Sequence, residues 1–208
     1  MLEALDLTVA RGGRVLLTGV SFAVRAGEAL LLTGPNGVGK TSLLRVAAGL
    51  APPGGGRIEA AEDSAAYMGH LDGLKPTLTV GENLRFWARL HGVTAGVGDA
   101  LDALELGDRI DLPVSDLSAG QRRRAGLALL ALLGRPIWLL DEPTVTLDAG
   151  AAALFERMLD GHLGGGGAAV ISTHLPIGGA GRLDLSRFMP VPREVAEDPF
   201  LAGGEGWA

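Results

Sequence analysis

Two segments in fixed order constrain this chain more than any other feature. Residues 117–121 read Leu-Ser-Ala-Gly-Gln, and twenty positions after Leu117 begins Ile-Trp-Leu-Leu-Asp-Glu-Pro, residues 137–143. Between them Gly120–Leu133 reads as a long apolar helix, closed by the stop signal Gly134-Arg135-Pro136. Ile137–Leu140 reads as a strand buried on both faces, and so does Ala168–Ser172. An Ala-rich helix from about Ala149 to Leu163 separates them, and strand–helix–strand order favours a parallel sheet with crossover helices.

The N-terminal part reads differently. Leu5, Leu7 and Val9 alternate with polar positions, as do Val20, Phe22 and Val24, and Gly12-Gly13 fits a hairpin turn. Ala29–Leu32 is a continuous apolar strand, and Lys40 to about Ala48 a helix. Residues 51–57 read as a loop. From about 72 to 135 the pattern is helical, with Val80–Leu90 and Asp99–Leu106 as elements, so this stretch is expected to be an α-helical insertion. The remainder, 1–70 and 136–208, is expected to form the core of a single domain. Past residue 175 the Gly- and Pro-rich sequence assigns no element.

Composition excludes several classes. With 208 residues the chain can bury a well-packed core. No apolar run approaches the roughly 18–20 residues of a membrane-spanning helix, and acids stand near the N-terminus where a secretory signal carries bases. Zero Cys rules out disulfides and thiolate metal sites, so a soluble cytoplasmic protein is expected. Net charge is −6 with no basic tract beyond Arg122-Arg123-Arg124, which argues against nucleic acid as a partner.

Of only two Lys, one stands in a glycine-rich loop. Gly34-Pro35-Asn36-Gly37-Val38-Gly39-Lys40-Thr41 matches the phosphate-loop pattern in full, and Ser42 follows it. Its glycines let backbone N–H groups converge on phosphates, Lys40 can neutralise the β- and γ-phosphates, and the Thr41 hydroxyl can ligate Mg²⁺. ATP and Mg²⁺ are the expected ligands. At the end of the strand, Asp141 is placed to hold Mg²⁺ through water and Glu142 to polarise the attacking water as general base. Ser118 with the N–H groups of Ala119 and Gly120 offers a second anion site. Alone that turn reads as an ordinary helix N-cap; its place between phosphate loop and acidic strand points to a nucleotide.

Phosphate loop, Leu117–Gln121, the Asp141-Glu142 strand, Thr146-Leu147-Asp148 and His174 resemble, in order, the motifs of ATP-binding cassette (ABC) ATPases over about residues 5–175. The resemblance implies an α/β P-loop core with an N-terminal antiparallel β subdomain and an inserted helical subdomain. It also implies a head-to-tail homodimer with two ATP molecules at the interface. Gly34–Thr41 of one copy would face Ser118, Ala119, Gly120 and Gln121 of the other, with Asp148 at the seam. Lys40, Glu142 and His174 would be the catalytic set.

Two departures stand out. Where the family carries Gln after the strand preceding the helical region, this chain has His70, a possible metal ligand. Where an aromatic normally stacks on adenine, it has Arg11, whose guanidinium can stack instead. The short length, Arg11-Gly12-Gly13-Arg14, Gly39–Arg45 and Tyr67-Met68-Gly69-His70 are similar to the haem-exporter ATPases of bacterial cytochrome c maturation. That subfamily implies a polytopic permease partner at the cytoplasmic face of the inner membrane. ATP hydrolysis would drive release of a haem-loaded chaperone, and no direct haem contact is expected in this chain. The alternatives are an ATPase of another small-substrate ABC transporter, or a non-transport ABC ATPase acting as an interaction module.

Overall fold

The computed structural model describes residues 1–69, 73–173 and 177–190. Strand β1 (Leu2–Arg11) turns through Gly12-Gly13 into β2 (Arg14–Val24), and β4 (Gly55–Ala60) pairs with the other edge of β1, giving a three-stranded antiparallel sheet ordered β2-β1-β4. The alternation breaks at Asp6, where φ is 51° and the pairing register slips. This bulge moves the buried side from Leu2 and Ala4 to Leu7 and Val9, because one extra residue inverts a period of two.

The second sheet is wholly parallel, ordered β5-β6-β7-β3-β8. Its strands are β3 (Ala29–Thr33), β5 (Ala65–Met68), β6 (Ile137–Asp141), β7 (Ala168–Ser172) and β8 (Gly181–Asp184). All five residues of β6 and of β7 are buried, as their unbroken apolar runs require. Alternate side chains enter two separate cores. Ile137 and Leu139 join helix α1 (Lys40–Ala47) and the antiparallel sheet. Trp138 and Leu140 join α2 (Val80–Leu90), α3 (Val97–Asp102), α4 (Ala119–Leu133) and α5 (Ala149–Gly164).

Three expectations are revised. The loop at 51–57 gives way to β4 at Gly55; Gly56, at φ 75°, lies so close to the carbonyls of Leu5 and Asp6 that a Cβ has no room. The helix expected over Asp99–Leu106 spans Val97–Asp102 and ends because Glu105 turns left-handed at φ 55°. The stretch left unassigned past residue 175 contains β8, hydrogen-bonded beside β3. Because the sheet is parallel, the C-terminal ends of β3, β5, β6 and β7 lie along one edge. The phosphate loop and the Asp141-Glu142 pair share that edge, where open α/β sheets bind ligands.

Candidate functional site

The loop Gly34–Gly39 leaves β3 and enters α1. Gly34, Gly37 and Gly39 take φ of 129°, 81° and 121°, open to residues without Cβ. Gly39 caps α1 without a side-chain bond, so the first-turn N–H groups of the helix are left free of a side-chain cap and point back toward the loop. The Lys40 ammonium folds over the loop, donating to the carbonyls of Gly34 at 2.8 Å and Pro35 at 3.4 Å. Val38 is buried in the core beneath, and Pro35, Asn36 and Gly37 stay exposed. Backbone donors at a helix start beside a lysine ammonium suit a polyphosphate.

Beside the first turn of α1 a cavity of about 290 Å³ is lined by Ala10, Arg11, Thr41, Ser42, Arg45 and Ala51. Arg11 therefore stands over the same hollow as Thr41 and Ser42. Sequence reading missed Arg45, although helical spacing of three and four residues from Ser42 and Thr41 puts it on their face.

Asp141 closes β6 and is 1% exposed. Its Oδ1 accepts from Ser172 Oγ at 2.6 Å, while Oδ2 is buried with no hydrogen-bond partner among the described residues. A buried carboxylate oxygen left this way is costly, and an Mg²⁺ ion or its water shell would satisfy it. Among the described residues no three His, Asp or Glu side chains form a metal cage. Mg²⁺ held by one carboxylate, Thr41 and substrate phosphates needs none. The donor chemistry fits. Nearby, burial and then the Asp141 charge push the Tyr67 phenol above its usual range, so it stays neutral.

Glu142 follows at φ 49°, an unfavourable conformation for a residue with a Cβ. Its N–H donates to the Ser172 carbonyl at 2.9 Å and also lies 3.2 Å from Ser172 Oγ. Its carbonyl accepts from Arg123 Nη2 at 2.8 Å. The kink turns the carboxylate-bearing residue out of the strand, half-buried at the sheet edge.

At the N-terminus of α4, Ser118 and Gln121 form a capping box. Ser118 Oγ accepts from the Gln121 N–H at 3.2 Å, and Gln121 Oε1 accepts from the Ser118 N–H at 2.9 Å. The cap thus uses a lone pair of the hydroxyl and leaves its proton to be donated outward. Ser118 and Ala119 are exposed. A Cβ on Gly120 would sit 3.1 Å from the carbonyl of Thr146, itself at φ 75°, so the 144–148 turn packs over the helix start. Asp148 caps α5, its Oδ1 accepting from the Ala151 N–H at 2.8 Å, and is otherwise exposed. His70 and His174 lie outside the described residues.

Comparison with known proteins follows the same lines. The ABC transporter family profile matches residues 17–145. A cytochrome c biogenesis ATP-binding export protein of Ruegeria pomeroyi is 53% identical over 203 residues, covering 96% of this chain and 99% of that one. Its namesake from Paracoccus denitrificans is 58% identical over 178 residues, covering 86% and 84%. Among solved structures, a dimeric ATP-binding cassette in a post-hydrolysis state with ADP and phosphate aligns with a TM-score of 0.75. It is 23% identical and covers 84% of this chain and 88% of its own, a likeness of fold.

Proposed function

The chain belongs to the ABC transporter ATP-binding family and, within it, to the cytochrome c biogenesis ATP-binding export proteins, and from that membership we propose how its residues work. The protein is an ABC ATPase. Lys40 and the loop amides hold the β- and γ-phosphates of ATP, with Thr41 and Asp141 holding Mg²⁺; the metal, when bound, neutralises charge on the phosphates. Arg11 and Arg45 flank the base and ribose. Glu142 takes the proton of the attacking water. Ser118, with the N–H groups of Ala119 and Gly120, reaches the nucleotide of a second copy. The observation that carries the reading is the kinked Glu142 beside the buried, half-satisfied Asp141 at the edge that holds the phosphate loop.

No helix among the described residues is long and apolar enough to cross a membrane, so a permease partner would supply the membrane path. Two features support a permease contact. A cavity of about 410 Å³ opens between the edge strand β5 and α2 and α4, lined by Leu50, Met68, Trp87, His91 and Leu129 among others. Phe86 and Leu90, one helical turn apart on α2, are 49% and 63% exposed, more than a solitary chain gains from large apolar groups. The permease and its coupled release of a haem-loaded chaperone would place this ATPase at the cytoplasmic face of the inner membrane.

The test replaces the native copy with Glu142→Gln. Holocytochrome c is expected to fall to background while the variant accumulates normally and still binds ATP. Wild-type holocytochrome levels with a hydrolytically dead chain would contradict the assignment.

A further inference from the structure

Arg123 is the one member of the Arg122–Arg124 tract that is fully buried, at 5% exposure on an otherwise apolar face of α4. Among the described residues its guanidinium reaches four backbone carbonyls. Nη1 donates to Gly69 at 2.7 Å, Nε to Pro143 at 3.0 Å, and Nη2 to Asp141 at 3.0 Å and Glu142 at 2.8 Å. A planar fork of five donors can span such a set, and a compact ammonium cannot. By contrast, neighbouring Arg124 bonds, among the described residues, the carbonyls of Leu104 and Glu105 and the Glu105 carboxylate, within the helical region.

The four carbonyls are not a random sample of the core. Gly69 directly follows β5, and Asp141, Glu142 and Pro143 carry the acidic pair out of β6. The Glu142 carbonyl is fixed by Arg123 while its N–H is fixed by Ser172, and between those two restraints sits the left-handed φ of 49°. Such a conformation persists only where surroundings over-determine it. Arg123 also stands five residues into the helix that Ser118 caps, about 7.5 Å along a rigid axis. One side chain therefore joins the turn that faces another copy's nucleotide to the carboxylate that serves this copy's own.

We propose that Arg123 is a positioning residue that couples the two ATP sites of the dimer. Engagement of Ser118–Gly120 with the partner's nucleotide seats α4, and Arg123 carries that seating to the backbone of Glu142, aligning the base in its own site. This rests on the shared-ATP reading above.

The experiment compares wild type with Arg123→Gln and Arg123→Lys, measuring the rate against ATP concentration, nucleotide affinity of the isolated chain and thermal melting. Wild type is expected to hydrolyse ATP cooperatively. In both variants kcat falls about 10- to 100-fold, as for misplacement of a catalytic group by about 1 Å. The Hill coefficient falls to about 1, and nucleotide affinity stays within about twofold, because the phosphate loop is untouched. Lys keeps the charge yet does not restore kcat. Rescue by Lys, a non-cooperative wild type, wild-type kcat and cooperativity in Arg123→Gln, or unfolding of both variants would each overturn the coupling role. Glu142→Gln is run alongside: if it forms no ATP-dependent dimer, the shared-ATP reading falls too, whereas dimers with unaffected Arg123 variants overturn this inference alone.

Discussion

At the scale of single residues, the acidic pair divides its work through environment. Asp141 is sealed, with one oxygen tied to Ser172 and the other buried with no hydrogen-bond partner among the described residues; Glu142 is rotated out by its positive φ. Ser172 serves both, donating to the Asp141 carboxylate and accepting, through its carbonyl, from the Glu142 N–H. Removing its hydroxyl leaves a buried carboxylate without its partner. Ser172→Ala is expected to destabilise the fold by about 1–3 kcal/mol, read in denaturant melts at neutral pH, with hydrolysis lowered as well. An unchanged midpoint would show that the 2.6 Å bond adds nothing. The placement of Lys40 and Thr41 at a helix start and of Asp141 and Glu142 at a strand end was legible in the sequence because it is local to a loop or strand end. The contacts of Arg123, Ser172 and Arg45 were not, since they depend on which faces of α4, β7 and α1 meet the strand ends. A cation in register with Leu127 and Leu130 on a helix was the available signal for Arg123.

Among the elements, long periodic segments were read well and short glycine-bearing ones were not. α1, α2, α4, α5, β3, β6 and β7 carry enough apolar pattern to declare themselves. β4 and β8 hold few buried side chains and exist because β1 and β3 offer unpaired edges to them. The C-terminus of α5 is anchored by an unusual stack, His162 lying on Trp138 with ring centroids 3.7 Å apart and planes 6° from parallel. His162 Nε2 is also 3.2 Å from the Ala168 carbonyl. Burial lowers the His162 pKa from 6.5, opposed by the carbonyls of Ala168 and Pro136. The unfolded chain therefore takes up the proton first. Its contribution to stability is whole above the ordinary imidazole pKa and declines as the pH falls through and below it. Thermal melts between about pH 7.5 and 5.5 are expected to show a steeper acid loss for wild type than for His162→Phe, which keeps the stack. Parallel profiles would remove His162 from the account.

For the whole molecule, two cores on opposite faces of one parallel sheet hold the phosphate loop and the Asp141-Glu142 pair along a single edge. The order of motifs carried the family, while the exposed Phe86 and Leu90 belong to no motif and were not singled out in the sequence. The central claim is that an ATP site is completed by Ser118 of another copy. Because the chain has no Cys, single cysteines report without background. Asn36→Cys and Ser118→Cys, each combined with Glu142→Gln, are mixed and oxidised with and without ATP. A disulfide-linked pair is expected in the mixture, only with ATP, and neither protein alone should give it. No ATP-dependent product in the mixture, or an equal bond within one chain carrying both cysteines, would contradict the shared site.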